Sequence, residues 1–284
     1  MVDNASTDDT GAVLARAVDC NGRLRTIYVD RVGLGAARDV GWRETTGAIV
    51  AFTDDDCYLA PDYVDRLLEV FDERPDLACV GGRILLHDPT DHPVTIDERT
   101  TAVDVARLAF VRPGALAGAN MALRRWALET IGGFDPTLGA GTPFPCEDID
   151  VVAAVAWAGL RSAYDPRPVV RHHHGRKAAD LPTLLESYDR CRGAYFTKYL
   201  LRSDSRSAYF RGWAAERFRD AHRGSLVTLR RELVSGGRYL LRRRAYAALP
   251  LALAGAICFY AALLLKVLSN RIPRRMGMGP AASL

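Results

Sequence analysis

Apolar positions come in two rhythms over the first 180 residues. One is the helical stripe. The stretch 11–20 (GAVLARAVDC) places apolar residues on one face, with Ser6 or Thr7 ahead of it as N-cap. A second stripe runs over 36–44, and a third begins at Pro61 with Val64, Leu67, Leu68 and Phe71 on one side. The other rhythm is the short apolar run, at 25–30, 48–52 and 77–80, of the length a buried strand needs. The run 48–52 reads as a parallel strand. Alternation of such runs with helical stripes predicts an α/β unit with a mostly parallel twisted sheet flanked by helices.

Farther on, 116–123 reads as a strand, 124–131 as a short helix and 132–135 (GGFD) as a turn. The Gly- and Pro-rich stretch 138–145 reads as a loop, and 147–157 as a helix with carboxylates in its first turn. From Leu181 the pattern is helical and rich in arginine. The run 245–265 (AYAALPLALAGAICFYAALLL) holds no charge and is long enough to cross a hydrocarbon core. Arg242, Arg243 and Arg244 precede it; Lys266, Arg271, Arg274 and Arg275 follow. Basic residues on both flanks leave its orientation open. The expected division is 1–180 for the α/β domain, 181–244 for a basic helical region, 245–268 for a membrane segment and 269–284 for a basic tail.

Composition changes this picture little. The 284 residues are 49% apolar and 25% charged, with a net charge of +4. That excess does not point to nucleic acid as a partner. Its distribution says more: carboxylates are concentrated before Asp150 and basic residues crowd 190–275. The six cysteines lie far apart in sequence, without zinc-type spacing, and read as free thiols. The polar opening Met1-Val2-Asp3-Asn4 is unlike a signal peptide.

The candidate chemistry centres on Asp54, Asp55 and Asp56, where the run 48–52 ends. Ligands of open α/β sheets bind at the carboxyl ends of strands. On extended chain, Asp54 and Asp56 would point the same way and meet one divalent cation or a sugar nucleotide. An acidic turn ahead of the helix at Pro61 is the other reading.

Six segments in order settle on one resemblance: VDNASTDDT at 2–10, GLGAARDVGW at 33–42, TDDDC at 53–57, GANMALRRWALETIGGFDPTLG at 118–139, CEDID at 146–150 and YDPRPVVRHHH at 164–174. Together they resemble the family 2 glycosyltransferases, which have the GT-A fold. The resemblance implies an inverting enzyme at the cytoplasmic face of the cell membrane. It would use Mg²⁺ or Mn²⁺ to move a sugar from a nucleotide-sugar donor to a glycan or lipid-linked acceptor of the cell envelope. It implies a metal at Asp56, Asp54 and His172, with His174 as second choice, and Asp148 as general base beside Glu147. Asp3, Arg38, Asp54 and Asp55 would contact the donor. Asp39 stands where the family usually has Asn. The family's usual first strand and Pro-x-x-Asn-like turn are missing ahead of Asp3, which implies a misplaced start or weak donor binding. The alternative is a non-catalytic, membrane-associated binding module. A nucleotidyltransferase would want a basic Gly-rich loop near the N-terminus, and the sequence offers none.

Overall fold

The computed structural model describes residues 1–219 and 221–270. The chain begins with β1 (Val2–Asp3), α1 (Thr10–Cys20), β2 (Ile27–Tyr28), α2 (Leu34–Arg43), β3 (Ile49–Phe52), β4 (Cys57–Leu59), α3 (Tyr63–Glu73) and β5 (Leu77–Leu86). It continues with β6 (Val103–Val105), a 3-10 turn at Gly118–Asn120, β7 (Met121–Arg124), α4 (Arg125–Ile131), α5 (Glu147–Trp157) and β8 (Arg161–His172). The C-terminal helices are α6 (Leu181–Leu201), α7 (Arg206–Arg219), α8 (Arg223–Arg242) and α9 (Leu249–Ser269). Of the expected basic tail, everything from residue 271 lies outside the described residues.

The main sheet has the order β3-β7-β5-β8-β4, with β6 also on β8. It is mixed, not mostly parallel. Only the β5–β8 pairing is parallel; β3–β7, β5–β7, β4–β8 and β6–β8 are antiparallel. Apolar runs reveal that a strand is buried but not which way its neighbour runs, so the insertion of β7 between β3 and β5 left no mark in the pattern. A separate parallel pair joins β1 to β2.

Side-chain alternation divides the core between the two sheet faces. In β7, Met121 and Leu123 join the larger apolar body, while Ala122 joins the smaller. The smaller body lies under α3, whose buried residues are Tyr63, Leu67, Val70 and Phe71. Val64 and Leu68, expected on that face, are exposed. The buried face is centred on Leu67, Val70 and Phe71 with Tyr63 one turn earlier, so only one edge of the expected stripe faces the core. Phe71 is fully buried, and burial on this scale stabilises by about 1.5–3 kcal/mol per large side chain.

The larger body runs through α5 into the C-terminal helices, taking in Tyr195, Phe196, Trp213, Tyr239 and Phe259. Tyr195 Oη donates to the Val111 carbonyl at 2.9 Å and lies 2.6 Å from Tyr209 Oη. Lys198 Nζ joins Asp135 (2.9 Å) to Asp150 (2.8 Å), tying α6 to the turn after α4 and to α5. Burial works against the Asp135 charge, but Lys198 and Thr137 overcome it and hold the carboxyl at about 2.

Several local expectations shift. The N-cap of α1 is Asp9, not Ser6 or Thr7. The Ser6 amide instead donates to Asp3 Oδ1 at 3.0 Å, turning the chain before the helix. The strand expected at 116–123 divides into the 3-10 turn and β7, and the strand expected at 77–80 extends to Leu86. The six cysteines form no disulfide. Residues Tyr246–Ser269 make one helical segment whose most apolar 18-residue window has a mean hydropathy of 2.2 and is 17% buried; by length and composition it could cross a membrane.

Candidate active site

Asp54 and Asp56 converge through a turn rather than through strand alternation. The chain leaves β3, Cys57 N donates to the Asp54 carbonyl at 3.2 Å, and β4 starts at once. Thr53 Oγ1 ties the entry of this turn to the Ala119 carbonyl at 3.1 Å. Antiparallel pairing of β4 with β8 sets Cys57 opposite His172, and His173 N donates to the Asp56 carbonyl at 2.9 Å. The buried His172 ring then reaches Asp56, with Nε2 3.1 Å from Oδ1. Its Nδ1 lies 3.3 Å from Thr95 Oγ1. One ligand atom from each of Asp54, Asp56, Cys57 and His172 falls within 4.8 Å of the others. Burial and the Asp54 charge push the Cys57 thiol up to about 11, so at neutral pH it stays protonated while the two carboxylates and the imidazole offer oxygen and nitrogen.

Arg38 links this corner to the start of α5. It is 6% exposed, and its Nη2 meets Asp54 Oδ1 at 2.7 Å while Nη1 meets Glu147 Oε1 at 3.0 Å. Nη2 also donates to the Gly118 carbonyl at 3.2 Å. Burial disfavours the Arg38 charge, but Glu147, Asp54 and Asp148 outweigh it and raise its pKa. Glu147 is pushed up to about 7 by burial and by the adjacent Asp148, with Arg38 opposing. Asp148 is half-buried; its Oδ2 accepts from Gly118 N at 3.2 Å and its Oδ1 from Ile149 N at 2.7 Å. Gly118 therefore touches both the arginine and the carboxylate.

The structure thus brings together Asp54, Asp56, His172, Arg38, Glu147 and Asp148. Asp55 is exposed at the tip of the turn. Asp3 sits at the end of β1 with its carboxylate on Ser6 N, and no hydrogen bond joins it to the cluster among the described residues. His174 lies outside the cluster, its ring perpendicular to that of His172 at 5.1 Å. Burial and His172 lower its pKa. Sequence reasoning missed Thr95, Gly118 and Lys198. It also missed Asn120, which is buried, donates to the Arg83 and Pro168 carbonyls and accepts from Tyr63 Oη. Gly118 and Asn120 stood inside the quoted segment GANMAL; their buried polar contacts were the unread signal.

Residues 1–131 match the profile of glycosyl transferase family 2. Over these residues, just under half of the chain, it resembles the family 2 glycosyltransferases. The pre-mycofactocin glycosyltransferase of Mycobacterium tuberculosis is 31% identical over 154 residues, 52% of this chain and 32% of the relative. The glucosyl-dolichyl phosphate glucuronosyltransferase of Haloferax volcanii is 26% identical over 142 residues, 46% of this chain and 42% of the relative. The chain thus spans well under half the length of these two relatives. Among solved structures, S. aureus TarS 1-349 in complex with UDP-GlcNAc has a TM-score of 0.60 at 16% identity, covering 96% of this chain and 83% of that one. The mannosyltransferase PcManGT from Pyrobaculum calidifontis, in complex with GDP-Man and Mn²⁺, has a TM-score of 0.52 at 19% identity, covering 95% and 77%. These likenesses establish the GT-A-like fold of the glycosyltransferase domain.

Proposed function

We propose that the protein is an inverting, metal-dependent glycosyltransferase that moves a sugar from a nucleotide-sugar donor to a lipid-linked or cell-envelope polysaccharide acceptor. The observation that carries this reading is the convergence of Asp54, Asp56 and His172 beyond β3, in a domain of this family. Two carboxylates and an imidazole fit a divalent cation such as Mn²⁺ or Mg²⁺, held by Asp54, Asp56 and His172. Such an ion, when bound, supplies Lewis-acid neutralisation of the charge on the departing nucleoside diphosphate. PcManGT holding GDP-Man with Mn²⁺, and TarS holding UDP-GlcNAc, support the donor class.

In this reading Asp148 accepts the proton of the attacking acceptor hydroxyl, with Gly118 N fixing one carboxylate oxygen. Arg38 is a positioning residue: it sets Asp54 and Glu147 at a fixed separation. Asp3 and Asp55 face the donor. One base and no second carboxylate placed as nucleophile correspond to a single displacement, hence inversion. Residues 1–180 form the catalytic unit, 181–244 its basic helical support, and 245–268 the segment that holds the protein at the cell membrane. The catalytic unit is cytoplasmic, where nucleotide sugars are made. A relative named for a glucosyl-dolichyl phosphate substrate supports the lipid-linked acceptor.

The test is incubation of the full chain with a panel of nucleotide sugars and Mn²⁺, following nucleoside diphosphate release and the anomeric configuration of any product. Release from at least one donor, lost on chelation, is expected. No release from any donor, with or without a membrane-lipid extract as acceptor, ends the reading.

A further inference from the structure

Away from the aspartate corner, four guanidinium groups and one carboxylate surround a cavity of about 320 Å³. Its lining residues are Arg112, Pro113, Arg192, Glu216, Arg217 and Arg219. They come from three parts of the chain: the loop after β6, the middle of α6 and the last turn of α7. Their counter-charges are unevenly shared. Arg192 is tied to Glu232 Oε1 at 2.8 Å and to Asp189. Arg112 Nε donates to Glu216 Oε1 at 3.2 Å. Arg217 meets Glu216 and Glu232 only at 3.7 Å each, beyond hydrogen-bond length, and its Nε has no hydrogen-bond partner. Arg219 is exposed and has no ion pair among the described residues.

A basic residue in the last turn of a helix is favoured by the helix dipole, which accounts for one arginine at the end of α7. It does not account for arginines arriving there from α6 and from the loop after β6. Planar guanidinium forks from several directions suit an anion with several equivalent oxygens, which is the chemistry of a phosphate. The same α7 also carries Phe210, Trp213 and Phe218, whose rings pack on Phe259 of the apolar α9 at 5.1–6.0 Å. The cavity and the seat of the apolar helix therefore share one element.

We propose that this cavity is a second anion site, distinct from the donor corner, which binds a phosphate or diphosphate group through Arg217 and Arg219 with Arg112 and Arg192 behind them. The phosphate belongs either to a membrane lipid or to a soluble phosphate ester.

The experiment uses the full chain in EDTA, so that the aspartate corner holds no metal and cannot supply the signal. One arm titrates inorganic pyrophosphate by calorimetry. The other measures flotation with vesicles of phosphatidylcholine, with and without phosphatidic acid. The variants are Arg217→Gln and Arg219→Gln, with Arg16→Gln, exposed on α1, as control. Arg219 is exposed, so its substitution keeps the test independent of folding. Saturable pyrophosphate binding weakened about 10-fold or more by Arg219→Gln, but not by Arg16→Gln, supports the site with a soluble source. Preference for phosphatidic acid that Arg219→Gln reduces, without pyrophosphate binding, supports it with a lipid source. If Arg217→Gln and Arg219→Gln bind both probes as the parent does, or if Arg16→Gln weakens binding equally, the site is refuted.

Discussion

Two clusters of two aspartates and a histidine flank the end of β8, and they are not alike. Asp54, Asp56 and Cys57 meet His172; Asp88 and Asp91 meet the next residue, His173. In the second cluster a cation is already built in. Lys177 Nζ lies 2.6 Å from Asp91 Oδ1, and the lysine holds that carboxyl below the usual range. Gly175 N donates to Asp91 Oδ2 at 3.0 Å and Thr90 N to Asp88 Oδ1 at 2.8 Å. The first cluster has Arg38 on Asp54, whereas among the described residues the Asp56 carboxylate meets the His172 ring and the Cys57 thiol and is partly open to solvent. The number of carboxylates does not separate the two clusters; what does is that Lys177 already occupies the second, while Asp56 in the first has no cationic partner among the described residues.

The largest expected effect separates the two. Asp56→Asn lowers turnover by about 10³-fold and abolishes Mn²⁺–nucleotide binding by calorimetry, whereas Asp91→Asn leaves both within twofold and lowers only the thermal midpoint. Equal losses in the two variants would show that the clusters are not different in kind. Next comes the strut between Asp54 and Glu147. Arg38→Met leaves the buried Glu147 and the half-buried Asp54 without their shared counter-charge and costs about 3 kcal/mol in denaturant unfolding. An unchanged midpoint would mean that Arg38 only fills space. Asp148→Asn keeps donor binding and lowers turnover by about 10²-fold; unchanged turnover in a folded variant removes Asp148 as the base.

Smaller effects sharpen the contrast between the site and its surroundings. Replacing the exposed Leu251, Leu253 and Ile257 together by Ser weakens membrane partition by about 1–2 kcal/mol, seen as protein moving from pellet to supernatant. No redistribution would leave α9 as a helix of the protein body alone. The smallest effect is on pH. The folded-state pKa of Glu147 is about 7, above the ordinary carboxyl value of 4.5, so the native state holds its proton more tightly than the unfolded chain. Glu147 therefore subtracts stability as pH rises from about 4.5 to 7, and the loss is complete above that window. Glu147→Gln should flatten the fall in unfolding free energy across this range; the same slope in parent and variant would assign the titration elsewhere.

Much of this was legible in the sequence, for identifiable reasons. Helix α5 was read with its observed bounds, because three acidic residues in its first turn precede an unbroken apolar run. The loop at 138–145 is marked by its Gly and Pro content, Asp54 and Asp56 by their place at the end of an apolar run, and His172 by resemblance. What escaped depends on contacts across long stretches of chain. Arg38 and Glu147 are separated by 109 positions, and Lys198 reaches Asp150 across 48. The three-residue β4 was too short to show a period, yet its pairing with β8 brings His172 to the aspartates. Strand direction in the sheet escaped for the same reason, since periodicity describes a strand's two faces and nothing about its neighbour.

Gly118 has a consequence beyond the present molecule. A Cβ there would collide with the Arg38 guanidinium, while its amide and carbonyl serve Asp148 and Arg38. The two positions cannot drift independently. A side chain at 118 forces the Arg38 guanidinium to move, and that movement loosens its pairing with Asp54 and Glu147. The glycine and the arginine therefore act as one unit: a change at either position is felt at the same two carboxylates.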